Sequence, residues 1–192
     1  PGERGSDHGP IVSAVAHSVL VIPVPEMEPF IRARWEHHDP AWVSRDPAFT
    51  HAHITVLAPF LPAPGAADLD RIAAIANTVP AFDFSLGEIG TFPNGIIHLV
   101  PEPAGGFRRL TAAVADAFPQ CPPYAGEFAG DVRDLVPHLT VDSTLAGVTE
   151  TGVAGELADV LPVAARADRV ELQWYEEGGC RVLARWPLSV PV

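Results

Sequence analysis

The sequence predicts an α+β fold of two lobes, with antiparallel-rich sheets lining a central groove and helices outside. One observation is a tetrapeptide of the form His-apolar-Thr-Val that occurs twice, at 53–56 and at 138–141. A second is that helix and strand patterns follow the same order around each copy, which indicates a duplicated unit with a pseudo-twofold axis. A third is composition, because the 192 residues are 47% hydrophobic and 19% charged, as in a globular protein.

The first copy of the unit is predicted from apolar periodicity and turn residues. An aliphatic segment predicts a strand over 14–24, and a proline with acids in the first turn favours a helix from Pro25 to about His37. A polar, proline-bearing loop follows this helix. The motif strand 51–58, a helix over 66–79 and a strand over 82–92 complete this unit, and the turn 93–95 leads to the strand 96–100, which opens the second copy.

The second copy repeats this order, and two strands close the chain. A helix is predicted over 107–118, followed by a loop rich in proline and glycine over 119–136 and then by the second motif strand. A short helix over 152–161 comes next. Strands over 169–175 and 181–187 flank a Gly-Gly turn and complete the second half.

The overall charge restricts the class of partner. The chain carries a formal net charge of −12, whereas non-specific binding to long nucleic acid depends on Lys and Arg side chains that neutralise phosphates. A short nucleotide in a locally positive cleft is compatible with this charge.

Location and domain organisation are predicted from short segments. The apolar segment 11–25 is too short to span a bilayer and has no basic stretch before it, so we expect neither a membrane segment nor a signal peptide. We expect the protein to be a cytoplasmic monomer. Cys121 and Cys180 are expected to be reduced, although they could form one bridge, and two cysteines are too few for a Cys₄ zinc site. We expect residues 1–10 to form a flexible arm and residues 11–192 to form one two-lobed domain.

Alternation along a strand gives the repeated motif a common chemistry. Successive side chains point to opposite faces, so His53 and Thr55 share one face. The same holds for His138 and Thr140. Two such strands facing each other would place two imidazoles and two hydroxyls around one cleft. This predicts acid–base chemistry on a phosphoryl group, with no metal or other cofactor.

A 2′,3′-cyclic phosphate fits this predicted site. Opening its ring requires in-line attack on phosphorus and protonation of the ribose oxygen that leaves. A base and an acid on opposite sides of the phosphorus meet both needs, and a pseudo-twofold site supplies that arrangement. The sequence leaves open which histidine is the acid and which is the base.

Three segments resemble the 2H phosphoesterase superfamily and, within it, the LigT-like 2′-5′ RNA ligase-like branch of bacterial cyclic phosphodiesterases. Segments 53–60 (HITVLAPF) and 137–141 (PHLTV) contain the HxTx motifs, and segment 122–126 (PPYAG) precedes the second motif. The resemblance extends over about residues 14–190.

The resemblance implies a LigT-like fold and a metal-independent hydrolase for 2′,3′-cyclic phosphates of RNA ends or small nucleotides, with a place in RNA processing. Members of the family also catalyse the reverse reaction, 2′-5′ joining. Asp142 stands where better-studied members carry basic residues after the second motif, so a long RNA is not the expected substrate. The catalytic residues that the resemblance implies are His53, Thr55, His138 and Thr140.

Several assignments have structural alternatives. Phe60 and Tyr124 are candidate substrate-binding residues, but Phe60 could pack in the core and Tyr124 could anchor a loop. A rival function from another class is a non-catalytic binding module that holds a nucleotide or an RNA end in the same groove. A third possibility is a metal-dependent hydrolase.

Other polar residues are expected to lie outside the site. We expect His51 to be exposed and His98 to lie on an edge strand. Arg181 and Arg185 share one face of the last strand, where a solvated face is favoured over a phosphate clamp. The histidines at 37–38 together with His51 lack a suitably spaced acidic ligand, so no metal site is predicted.

Overall fold

A computed structural model describes residues 15–126 and 130–190 of the chain. This part forms one antiparallel sheet of eight strands, curled into a half-barrel, with four α-helices. The helices are α1 (Glu28–His38), α2 (Ala66–Ala76), α3 (Gly105–Ala117) and α4 (Glu150–Glu156). The strands are β1 (His17–Pro23), β2 (His53–Leu57), β3 (Phe82–Thr91), β4 (Ile96–Glu102), β5 (Leu139–Ser143), β6 (Val163–Ala167), β7 (Arg169–Tyr175) and β8 (Arg181–Pro187).

The strand order places the two motif strands at the centre of the sheet. The order is β6-β3-β4-β5-β2-β1-β7-β8, so four strands lie on each side of the β5–β2 junction. The two strands are antiparallel and their register pair is Ile54 with Leu139. The two lobes are therefore halves of one continuous sheet, but the chain crosses between them: β3 lies beside β4 in the half of the second motif, and β7 and β8 lie beside β1 in the half of the first. The α+β class, the duplicated unit and the antiparallel pairing are confirmed.

Burial of apolar side chains explains why the central strands form. Strand β1 lies inside the sheet and carries Val, Leu and Ile, and every residue after His17 in this strand is buried. Ile54 and Leu139 are also fully buried, so the apolar position of each motif faces the core. On α3, Phe107 packs edge-on against two phenylalanines of β3. Gly106 permits this approach, because a Cβ there would lie 2.3 Å from the ring of Phe82.

Each motif strand contains a β-bulge at its valine. The pairing of β2 with β1 skips Val56, and the pairing of β5 with β4 skips Val141. These are the same position of the repeated tetrapeptide, directly after the threonine. A bulge bends its strand and redirects neighbouring side chains, and bulges are common beside active sites. The duplication thus extends to the local backbone irregularity next to each threonine.

The structure corrects the predicted second half at one element. Helix α4 ends at Glu156, and residues 163–167 form β6, which the sequence analysis did not predict. Val163 is the one β-branched residue of this Ala-rich strand, so its main signal is the alternation of buried and exposed positions. The other predicted helices and strands agree with the structure to within a few residues, while the predicted arm 1–10 lies outside the described residues.

The structure also shows the state of the two cysteines and the lengths of the helices. Cys121 and Cys180 are free thiols and both are buried. Within residues 15–126 and 130–190, no helix is long and apolar enough to cross a membrane.

Candidate active site

The four polar residues of the repeated motifs line one cavity of about 660 Å³ at the centre of the sheet. The Ile54–Leu139 register pair fixes their arrangement. One residue to either side of this pair, the histidine of each motif lies opposite the threonine of the other. The two histidines therefore occupy diagonal positions, where residues of an antiparallel pair are about 7–8 Å apart.

Both motif histidines are oriented in the same way. Nδ1 of His53 lies 2.7 Å from the carbonyl oxygen of His51, and Nδ1 of His138 lies 2.8 Å from that of Val136. Nδ1–H donates to a carbonyl two residues earlier in each case. Nε2 is then the unprotonated nitrogen of a neutral ring, and it is the atom left to exchange a proton with a substrate.

Burial lowers the pKa of both histidines. The pKa of His53 falls to about 4, chiefly because burial disfavours the charged ring, although the hydrogen bond to His51 partly offsets this. Burial also lowers the pKa of His138, and the nearby His98 adds to the lowering. His138 likewise contributes to the lowering at His53, which places the two rings within electrostatic reach of each other. In the free protein both rings are mainly neutral at pH 7.

A partly buried carboxylate supports the segment that precedes the first motif. The carboxylate of Glu28 accepts hydrogen bonds from Nδ1 of His51 and from the backbone N–H of Ala52, both at 2.8 Å. The backbone N–H of Ser44 donates to Nε2 of His51 at 3.1 Å, so that ring is neutral with its proton on Nδ1. His51 is only 1% exposed, so the prediction of an exposed side chain is wrong.

A tyrosine of β7, two strands away from β2 in the sheet, also contacts the first histidine. The Tyr175 hydroxyl lies 3.3 Å from Nδ1 of His53 and donates to Oε1 of Gln173 at 3.0 Å. Burial raises the pKa of Tyr175 well above its usual range, so the phenol stays protonated. Tyr175 lines the cavity and completes the support of His53.

The second histidine is supported by rings instead of a carboxylate. Phe92 lies edge-on to His138 with ring centroids 4.8 Å apart, and His98 lies edge-on to it at 5.5 Å. His98 stacks on Phe92 at 3.7 Å. It is buried on β4, which pairs with β3 and β5, so the predicted edge position is wrong. The two motif histidines thus share a tautomer but differ in their surroundings.

The motif threonines present free hydroxyls to the cavity. Thr55 and Thr140 both line it, and neither hydroxyl has a hydrogen-bond partner among residues 15–126 and 130–190. Each can donate a hydrogen bond to a phosphoryl oxygen placed between the histidines.

The two candidate substrate-binding aromatic residues differ in position. Tyr124 lines the cavity and is 41% exposed, and its backbone N–H donates to the carbonyl of Ala58 at 2.7 Å. Phe60 does not line the cavity. It is 5% exposed and packs edge-on against Phe118 at 4.9 Å. Core packing therefore describes Phe60, while Tyr124 is placed where it can contact a ligand.

One face of α1 forms a wall of the cavity that the sequence analysis did not anticipate. We call Ile31, Arg34, Trp35 and His38 the α1 wall. Their spacing is that of one helical face, which is a recognisable signal, but sequence alone did not indicate that this face points to the cavity.

The remaining predicted cationic residues lie away from the cavity. Arg185 pairs with Glu171 at 2.9 Å, and Arg181 lies over the ring of Trp174. Neither arginine lines the cavity. In the described part of the chain, no group of three or more His, Cys, Asp or Glu residues is arranged to hold a metal ion.

The chain matches one protein family over most of its length. A family model described as the 2′-5′ RNA ligase superfamily matches residues 23–179.

The chain belongs to the 2′-5′ RNA ligase superfamily.

Solved structures of this superfamily's fold agree with that assignment. E. coli LigT in complex with NADP⁺ is 19% identical, with 92% of this chain and 99% of LigT covered and a TM-score of 0.55. E. coli LigT with 3′-AMP is 18% identical, with 91% and 98% covered and a TM-score of 0.54. A protein of Thermus thermophilus is 20% identical, with 91% and 99% covered and a TM-score of 0.53.

These matches confirm the LigT-like fold, and the family match confirms the resemblance to the 2′-5′ RNA ligase branch. No curated protein sequence matches the chain. Membership of the superfamily supports a function of the phosphoesterase type.

Proposed function

We propose that the protein is a metal-independent cyclic phosphodiesterase that hydrolyses 2′,3′-cyclic phosphates of small nucleotides or RNA ends. The observation that carries the proposal is the arrangement of the two motifs around one cavity, with histidines on one diagonal and free threonine hydroxyls on the other. The catalytic residues are His53, Thr55, His138 and Thr140.

Each imidazole carries out one of the two proton transfers of the reaction. Nε2 of one ring takes a proton from water as its oxygen bonds to phosphorus. Nε2–H of the other ring gives a proton to the ribose oxygen as its bond to phosphorus breaks. The large lowering of the His53 pKa suits it to the role of base, which leaves His138 as the acid. A bound phosphate anion favours the protonated form of the acid, because an opposite charge nearby raises an imidazole pKa.

The threonines stabilise the charge that develops during this step. Thr55 and Thr140 donate to the two non-bridging oxygens of the phosphoryl group, where negative charge increases in the transition state. Tyr124, at the rim, contacts the nucleoside. With a 5′-hydroxyl in place of water as the nucleophile, the same groups would form a 2′-5′ linkage, as the new O–P bond forms and the bond from phosphorus to the 3′-oxygen breaks.

The structures of the relatives support a nucleotide as ligand. E. coli LigT has been solved with 3′-AMP, with ATP and with NADP⁺. A cavity of about 660 Å³ lies within the usual range of small-molecule sites, so it can hold a nucleotide.

Turnover of 2′,3′-cyclic AMP in excess EDTA tests the proposal. We expect hydrolysis to a nucleoside monophosphate at an unchanged rate. If EDTA abolished the activity and added metal restored it, the protein would be a metal-dependent hydrolase. Binding without turnover of cyclic mononucleotides and of cyclic-phosphate RNAs would favour a non-catalytic module.

A further inference from the structure

We propose that the cavity accepts substrates with a single phosphate group and discriminates against those that carry a second one. The selectivity comes from the α1 wall, where Asp142 and Glu156 neutralise the guanidinium of Arg34. This inference rests on the proposed nucleotide site and specifies which nucleotides it takes.

The described side chains that line the cavity carry little positive charge. The chain contains no lysine, so arginine is its only permanently cationic side chain. In the described part of the chain, Arg34 is the one arginine that lines the cavity. Asp39 and Asp134 line it as well. A second phosphate would therefore meet carboxylates in the cavity and depend on Arg34 for attraction.

Arg34 is already occupied by two carboxylates. Its Nε lies 3.2 Å from Oδ2 of Asp142, and its Nη2 lies 2.5 Å from Oε2 of Glu156. The same guanidinium lies over the ring of Phe30 at 4.9 Å. A guanidinium that two carboxylates neutralise contributes little attraction for a further anion.

The position of Asp142 is fixed and buried. Its side chain is 1% exposed, and Oδ1 accepts from the backbone N–H of Ser143 at 2.7 Å. Oδ2 has no hydrogen-bond partner among the described residues, although it lies in the ion pair with Arg34. Nε2 of His38 also has no hydrogen-bond partner among these residues, and it lies 3.7 Å from Oδ1 of Asp142. The carboxylate therefore stays beside Arg34 and cannot turn away into solvent to release it.

The other nearby arginine does not supply a second phosphate site. Arg108 of α3 lines an adjoining recess together with Thr55 and His138. That recess has a volume of about 20 Å³, which is room for about one water molecule and not for a phosphate. The described residues around Arg108 therefore leave no room for a second phosphate in this recess.

Calorimetric binding of 3′-AMP and adenosine 3′,5′-bisphosphate tests the inference, because the two ligands differ by one phosphate. We expect the wild-type protein to bind 3′-AMP at least tenfold more tightly. Asp142→Asn frees one positive charge on the α1 wall while keeping the side-chain shape, so the preference should fall about tenfold. Glu156→Gln removes the exposed partner of Arg34 and should shift the preference in the same direction, even if Asp142→Asn fails to fold.

Glu36→Gln is the matched control. It removes the same charge from α1, where Glu36 pairs with Arg32 and does not line the cavity, so the ratio of the two affinities should stay unchanged. Equal or tighter binding of the bisphosphate by the wild-type protein would overturn the inference, as would binding of neither nucleotide. The expected preference without any cyclic phosphodiesterase turnover would instead support the selectivity and refute the proposed reaction.

Discussion

The hydroxyls of Thr55 and Thr140 are predicted to act in the transition state. Each lines the cavity without a hydrogen-bond partner among the described residues. Thr→Val at either position keeps the shape and removes the donor, so kcat should fall roughly 10–10³-fold with a smaller change in KM. Steady-state kinetics with 2′,3′-cyclic AMP measures this. Thr78→Val, outside the cavity, is the control, and an unchanged kcat in both motif variants would remove the threonines from the mechanism.

The lowered pKa values of the histidines predict an acidic optimum for kcat/KM. The base must be neutral, which for His53 holds above about pH 4. The acid must be protonated, which for His138 holds only below a pKa that burial has lowered from 6.5. The profile of kcat/KM against pH should therefore be bell-shaped, with its maximum between the pKa values of the two histidines and a fall above pH 6.5. Both limbs of the profile belong to the coupled pair of histidines.

A pH series of kcat/KM for 2′,3′-cyclic AMP measures this profile. The maximum of kcat should lie at higher pH than that of kcat/KM, because the bound phosphate raises the pKa of the acid. A kcat/KM that kept rising to pH 8 would contradict the assignment of a buried neutral pair.

The sequence identifies the residues that repeat and misses those that support them. The motif residues could be predicted because a strand has a period of two and the tetrapeptide occurs twice. Glu28 and Tyr175 could not, because they reach His51 and His53, respectively, from other elements and have no repeated counterpart. The burial of His51 depends on those same contacts, so its prediction as an exposed residue was wrong for the same reason.

At the scale of elements, α1 both supports the first motif and forms a wall of the cavity. Its first residue, Glu28, holds His51 and Ala52, and the carbonyl of His51 in turn orients His53. Helix α1 therefore links the position of a catalytic ring to the position of the α1 wall.

Glu28→Gln tests this support, since it replaces an ionised acceptor of two hydrogen bonds. Stability should fall by about 1–3 kcal/mol, and kcat should fall about tenfold or more as the ring loses its fixed orientation. The charge of Glu28 raises the His53 pKa, so its loss should move the acidic limb of the pH profile to lower pH. The matched control is Glu26→Gln, an exposed acid of the preceding turn, and an unmoved acidic limb would reduce Glu28 to a purely structural role.

The elements that the sequence predicted well are those with strong local patterns. β7 and β8 match the predicted ranges 169–175 and 181–187 because aliphatic residues and a glycine turn define them. β6 was missed because its alanines favour no strand, and the bulges at Val56 and Val141 arise from pairing with neighbouring strands, which a single sequence does not reveal.

At the scale of the whole molecule, the net charge of −12 predicts a short substrate. Each additional phosphate of a longer RNA adds repulsion unless a track of arginines offsets it. We expect kcat/KM for 2′,3′-cyclic AMP to be at least as high as that for a ten-nucleotide RNA with a cyclic-phosphate end at matched salt. A hundredfold advantage for the RNA would contradict this and leave the chemistry of the histidines intact.

We propose that the two histidines act as one catalytic unit, and single-turnover hydrolysis of 2′,3′-cyclic AMP by the two single variants and the double variant tests this most directly. His53→Ala and His138→Ala should each lower the rate about 10²–10⁴-fold, and the double variant should be little slower than the slower single variant. His37→Ala, an exposed histidine outside the cavity, should leave the rate unchanged. Near wild-type turnover by either motif variant would contradict the two-histidine mechanism.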